Sequence, residues 1–267
     1  MKDLRLAMVQ MRSVVGSTDD NFKAMKKYID FAVEKKGNVI CFPEASLTGY
    51  STSYTESDTL SLDCSYINEL KNISLVKNIT IVFGFMEKSS PSIYMTQAVV
   101  CPKEIMLYRK THLGSREEGR FTRGDEIPVI ATEEAILGVQ LCWESHIPDI
   151  STVLRNKGAE LILVPHASNL AGSKRKEVWM KYLVARAYDN SVYVAACNAI
   201  GDNARGSVFG GGILVLDRKG NIICEDFNGE ESIIFVDLKA YSHTEDEGNR
   251  MSDVRYFKRR RPELYRL

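Results

Sequence analysis

The chain has 267 residues, 44% of them hydrophobic and 26% charged, with Lys+Arg and Asp+Glu both at 35 and a formal net charge of zero. That length is ample for one α/β domain with a sizeable core, read here as a single domain over residues 1–267. The charge balance argues against a nucleic-acid or polyanion partner drawn by bulk electrostatics, and no stretch approaches the ~20 apolar residues of a membrane span.

The start, "MKDLRLAMVQMRS", is too broken by charge to read as a signal peptide. Residues 4–11 read as a strand. Residues 18–37 read as a helix with Thr18 as N-cap, Gly37 as its end, and Phe22, Met25, Ile29, Ala32 and Val33 on one apolar face. "NVICFPE" (38–44) is a short strand cut by Pro43. Residues 59–78 read as a helix and 79–88 as a strand. Residues 92–100 and 104–109 form a hairpin, followed by strands over 128–131 and 136–142. Pro148 opens a helix over 148–157 and Gly158 closes it. A strand (159–165), a helix (174–190) and a strand (191–198) follow, then three strands at 211–217, 221–225 and 232–237. The tail, "MSDVRYFKRRRPELYRL", is basic and aromatic, and is expected to pack on the protein or a dimer mate. βα units mixed with hairpins predict a layered α/β fold with mixed sheets rather than a pure parallel barrel. The six cysteines (41, 64, 101, 142, 197, 224) show no CxxC spacing. The expectation is a reducing, cytoplasmic setting with no disulfide framework and no metal.

The stretch "GVQLCWESHIPDI" (138–150) carries the first functional signal. It ends an apolar run on Cys142 and sets a carboxylate and an imidazole just beyond. A thiol becomes a good nucleophile when a base takes its proton, and a fixed positive charge then holds the oxyanion. Glu44, at the end of "VICFPE", supplies a base. Lys110, in "MLYRKTHL", supplies the charge. All three close a strand and open a loop, and such loops share a sheet rim. Alone, each has a plain alternative: a core cysteine, a solvated carboxylate, a solvated lysine.

"FPEASLTGY", "YRKTHL" and "LCWES" together closely resemble the three signature segments of the nitrilase superfamily of carbon–nitrogen hydrolases, in order and spacing. "LRLAMVQM", "AELILVPHASN", "ARAYDNSVYVAACN" and "RRRPELY" extend the likeness over nearly the whole chain. The resemblance implies an αββα sandwich whose subunits pair into αββα–αββα dimers or higher homo-oligomers. It implies Glu44 as general base, Cys142 as the nucleophile forming a thioester, and Lys110 as oxyanion stabiliser, helped by the backbone N–H of Trp143. It also implies a second glutamate after the lysine. Spacing favours Glu117 over Glu118, to position substrate or water. No metal or cofactor is required.

Around this core, Glu144 is expected to shape the pocket or orient Lys110. Tyr50 and Tyr54, in the polar loop after Glu44, are candidate substrate contacts, as are His166 and Asn169 in "PHASN". His112 is a candidate backbone or turn partner near the lysine. "GSVFGGGILV" reads as a close backbone approach, "SKRKE" as a solvated helix start, Trp179 as core or interface, and Arg186–Asp189 as an ion pair. "CWE" resembles nitrilases while "RKTHL" resembles amidases and carbamoylases. The expected reaction is therefore hydrolysis of a small amide or N-carbamoyl compound. Nitrile hydrolysis and acyl transfer to an amine are the alternatives.

Overall fold

The computed structural model describes residues 1–240 and 260–264. Its first six-stranded sheet runs β14 (Ser232–Leu238), β1 (Leu4–Gln10), β2 (Val39–Cys41), β3 (Thr80–Ser89), β4 (Ser92–Cys101), β5 (Glu104–Arg109). The second runs β13 (Ile222–Asp226), β12 (Ile213–Leu216), β9 (Tyr193–Asn198), β8 (Leu161–His166), β7 (Ile136–Val139), β6 (Ile130–Ala131). A two-stranded ribbon, β10 (Ile200–Asp202) with β11 (Val208–Gly210), stands apart.

Each sheet has a parallel centre, β1–β2–β3 in one and β7–β8–β9 in the other, with antiparallel flanks. Parallel neighbours need crossovers. These are α1 (Thr18–Glu34), α2 (Ser65–Lys77), α3 (Pro148–Asn156) and α4 (Gly172–Asn190). Strand β1 explains the layering. Leu6 and Met8 face a core shared with Val82, Val139 and Leu163 of both sheets, while Ala7 and Val9 face Phe22, Met25 and Ile29 of α1. Alternate residues point to opposite faces, and both faces are buried, so the strand reads as continuously apolar. Helices α3 and α4 cover the second sheet through Leu154, Trp179 and Leu183. The result is the expected αββα sandwich with mixed sheets.

Two expectations change, and one pair of strands is new. Helix α1 is capped at Ser17, without a side-chain cap bond, rather than at Thr18. The helix expected over 59–78 begins only at Ser65. Leu60 instead bonds Met86 and Lys88 along β3, beyond the point where β2 has ended. The ribbon β10–β11 went unpredicted because its three-residue strands carry too few positions to show a period. Within "GSVFGGGILV" the close approach is real: a Cβ on Gly210 would lie 1.8 Å from the Leu170 carbonyl oxygen. The basic tail lies largely outside the described residues, and the part that is described, around Pro262–Leu264, is a short exposed turn.

Candidate active site

Three loops that follow strands of the two sheets converge at one rim. Glu44 lies three residues beyond β2, Lys110 directly follows β5, and Cys142 lies three residues beyond β7. Cys142 begins a one-turn 3-10 segment, Cys142–His146, in the left-handed region at φ +45°. Such a backbone costs a non-glycine residue about 1–3 kcal/mol and persists only when its surroundings hold it. Here they do. Leu141 N–H donates to Glu144 Oε2 at 2.8 Å, the Ser145 hydroxyl to the Cys142 carbonyl at 2.5 Å, and the Arg186 guanidinium to the carbonyls of Ser145 and His146, both at 3.2 Å. Trp143 N–H stands in the first turn of this segment, where donors lack intrahelical acceptors.

Lys110 and Glu44 are each 1% exposed, and Lys110 is shared. Its Nζ donates to Glu44 Oε1 and to Glu117 Oε1, both at 2.8 Å. Glu44 Oε2 accepts from Ala167 N–H at 3.1 Å. Glu117 also accepts from the Tyr50 hydroxyl (2.9 Å) and from Gly114 N–H (2.6 Å). Glu118 turns to the surface and pairs with Arg123. The structure therefore brings Glu117, not its neighbour, to the lysine.

Burial raises the Glu44 carboxyl to about 7, against the pull of Lys110 and with added repulsion from Glu117. Burial alone would lower the Lys110 ammonium, but Glu44 and Glu117 outweigh it and hold the group well above its usual value. Burial and the Glu44 charge push the Cys142 thiol to about 12, partly offset by Lys110 and Arg175. The thiol therefore rests protonated, near a carboxyl group that titrates around neutrality.

The remaining residues separate. Glu144 is buried, and its Oε1 accepts from the Tyr108 hydroxyl (2.7 Å), Thr111 N–H (2.8 Å), the Thr111 hydroxyl (2.7 Å) and His112 N–H (3.1 Å). With Oε2 on Leu141, both oxygens are occupied within the protein. It ties the loop after Lys110 to the turn of Cys142. Tyr50 reaches the site, but its proton is donated to Glu117. Tyr54 turns away, its hydroxyl on the Arg120 carbonyl and its ring on Phe121. His166 is corrected as a substrate contact. Its Nδ1 lies 2.8 Å from the Val164 carbonyl and its Nε2 accepts the Trp179 indole N–H at 3.1 Å, so no ring nitrogen is free. Burial holds that imidazole neutral, well below its usual range. Asn169 is exposed, and Trp143 is 50% exposed beside His146.

Arg186 is likewise corrected. It is a buried clamp on the Cys142 turn rather than the partner of Asp189 in a structural ion pair. Its phase was the signal. Counting back from Trp179 in steps of three and four puts Arg175 on the buried stripe of α4, and counting forward puts Arg186 there.

An αββα sandwich that gathers a cysteine, a lysine and two glutamates at one rim defines a class of α/β enzyme with a thiol-centred site. Comparison with known proteins narrows it. The family model for carbon-nitrogen hydrolases matches residues 5–244. A probable nitrilase of Schizosaccharomyces pombe is 26% identical, covering 98% of this chain and 97% of its own. The omega-amidase of Mus musculus is 24% identical over 99% and 98%. The glutamine-dependent NAD(+) synthetase of Thermotoga maritima is 31% identical over 89% of this chain but 42% of its own length. Among solved structures, an amidase of Nesterenkonia superposes with a TM-score of 0.82 at 25% identity, covering 98% of both chains. In a mutant of that amidase (TM-score 0.81, 24% identity, 98% and 95% coverage), the acetamide moiety of fluoroacetamide is attached to the active-site cysteine. The chain belongs to the carbon–nitrogen hydrolase family and is an enzyme of that type. No helix among the described residues is long and apolar enough to cross a membrane.

Proposed function

We propose that the protein hydrolyses the carbon–nitrogen bond of a small amide or N-carbamoyl compound through a Cys142 thioester. The observation that carries this is the buried lysine held at 2.8 Å by two carboxylates at the rim that also carries Cys142. Glu44, near 7, takes the thiol proton as the sulfur attacks the carbonyl carbon. The oxyanion forms against Lys110 and Trp143 N–H. Glu44 returns the proton to the departing nitrogen, then takes one from water as the thioester is hydrolysed. General base catalysis typically contributes about 10²–10⁴-fold and one oxyanion donor about 2.7–4 kcal/mol. Glu117 holds the lysine and, with Tyr50 behind it, faces substrate or water.

Nitrile hydrolysis is the second reading, supported by the "CWE" segment and by relatives described as nitrilases. The same proposal takes residues 1–267 as one domain that works in the cytoplasm as a homodimer or higher oligomer. Exposed Leu75 and Val76 on α2 offer apolar surface for pairing.

The test is ammonia release from matched panels, each acyl group offered as amide, nitrile and N-carbamoyl derivative. Cys142→Ala runs alongside. Release by wild type alone supports the thiol mechanism, and the preferred member names the reaction. Equal release by both proteins refutes it.

A further inference from the structure

Strands β8 and β9 run parallel as far as the pair His166–Asn198 and then part, one chain into the loop before α4 and the other into the ribbon β10–β11. Asn198 keeps them joined beyond that point. Its side chain is fully buried and fully paired. Its Oδ1 accepts from Ser168 N–H at 2.8 Å, and its Nδ2 donates to the carbonyls of Ser168 at 3.0 Å and Gly211 at 2.9 Å. A side-chain amide offers one carbonyl and two N–H donors, and only this orientation suits one donor and two acceptors. The amide takes the place of a backbone partner for Ser168.

The residue before Ser168 gives this clamp its meaning. Ala167 N–H donates to Glu44 Oε2 at 3.1 Å, while Lys110 holds Oε1. Glu44 follows β2 of the first sheet, so the Ala167 bond ties it to the second. Ala167 is fixed from both sides. Asn198 grips Ser168 on one side. On the other, the His166 carbonyl accepts from Ala199 N–H at 3.0 Å, and the His166 ring accepts from Trp179.

We propose that Asn198 is a positioning residue for the base: it fixes the turn at 167–168 so that Ala167 N–H meets Glu44. This rests on the hydrolase reading above, in which Glu44 takes the thiol proton. A hydrogen bond to a carboxylate favours its charged form, so losing the donor raises the Glu44 titration. Water admitted by a loosened core would lower it instead, because burial is what raises Glu44 most. The sign of the shift therefore separates the clamp from a loss of packing. Facing Glu44 are Lys110 and Glu117 from the loop beyond β5, Glu144 and Cys142 from the nucleophile turn, and Tyr50 from its own loop. His166, beside Ala167, is neutral. Asn198 carries no charge, so replacing it removes none of these fields.

The experiment measures the pH profile of kcat/KM on the preferred member of the ammonia-release panel. Wild type, Asn198→Ala, Asn198→Ser and Leu216→Ala are compared. Leu216 is a buried residue paired with Val194, at the opposite end of β9 from Asn198. In N198A, kcat falls about 10- to 100-fold with a smaller change in KM. Its acidic limb moves up by about one pH unit. N198S, which keeps a polar group in the buried space, shifts the same way and serves if N198A does not fold. L216A loses stability and leaves the limb in place. A limb that stays or moves down in the Asn198 variants, or that moves equally in L216A, overturns the proposal. NMR with isotope-labelled alanine and glutamate follows the Ala167 amide and the Glu44 carboxyl through the same pH range. The Ala167 amide tracks Glu44 in wild type and loses that response in the Asn198 variants. If nothing on the panel is hydrolysed, the hydrolase reading fails and the NMR titration decides the clamp. A response lost in the variants supports it, and a response absent from wild type or equal in all proteins removes it.

Discussion

Replacing Glu44 by Gln separates what this residue does for turnover from what it costs the fold. A carboxyl near 7 in the folded protein and near its ordinary 4.5 in the unfolded chain binds protons more readily when folded. Its contribution to stability is fully present below pH 4.5 and is lost as pH rises through about 7. The difference between the two values corresponds to about 3 kcal/mol. Since Glu44 is 1% exposed, solvent screening removes little of it. Gln carries no charge and lacks this dependence. It also has one acceptor oxygen for two donors, Lys110 Nζ and Ala167 N–H, so one is left unpaired at about 1–3 kcal/mol. That penalty does not depend on pH.

The prediction therefore concerns the slope and not the offset. Urea unfolding of wild type and E44Q at intervals from pH 4.5 to 8 gives the stability difference at each pH. E44Q gains on wild type by about 3 kcal/mol across this window, whatever the offset at the start, while hydrolysis is lost throughout. A difference that stays flat across the window refutes the placement of the Glu44 titration. A gain for E44Q toward acid pH refutes its sign.

Three further outcomes follow from the same geometry. Glu144→Gln weakens an oxygen that accepts four hydrogen bonds, so kcat falls at least 10-fold with a smaller change in KM, and urea unfolding registers about 2–4 kcal/mol of lost stability. Gly84→Ala places a Cβ 2.2 Å from Ala45 N, beside the Glu44 turn, where Ala45 has φ +53°. It costs about 1–3 kcal/mol in thermal unfolding and lowers kcat/KM, and unchanged activity would show that the turn tolerates displacement. Glu117→Gln removes repulsion from Glu44, so the acidic limb of the kcat/KM profile, centred near 7 in wild type, moves to lower pH; a limb that stays fixed or moves up contradicts the coupling.

Glu44, Lys110 and Cys142 were legible because the ends of apolar runs are legible, and strands that end at one rim bring distant residues together. Which neighbours assist them was not. Glu144 and His166 each look like pocket residues in sequence. Only the loop after β5 and the indole of Trp179, both remote in the chain, decide that the carboxylate braces two loops and that the imidazole is occupied. Arg175 was hidden differently. A run of four charged residues looks solvated, and the helical phase that buries one of them is set by the apolar positions further along α4. The ribbon β10–β11 and the late start of α2 escaped for a third reason: pairing partners supplied by other segments, not local pattern, fix those bounds.

The cluster at the rim binds its members' roles together. Lys110 keeps its charge in a dry site because two carboxylates face it, and either one removed would leave less to offset burial. Burial lifts Glu44 most, and the second carboxylate, Glu117, adds repulsion to it, so the carboxyl sits near 7 despite the pull of Lys110. On the mechanism proposed above, one lysine between two glutamates supplies a cation for the oxyanion and a base for the thiol at once. On the same mechanism the thiol, held high by burial, loses its proton as it attacks. The φ of +45° at Cys142 is held by Leu141, Ser145 and Arg186 through bonds that involve none of the three charged residues. Glu144 joins that turn to the loop that follows Lys110, so the two parts of the rim are coupled through one buried carboxylate.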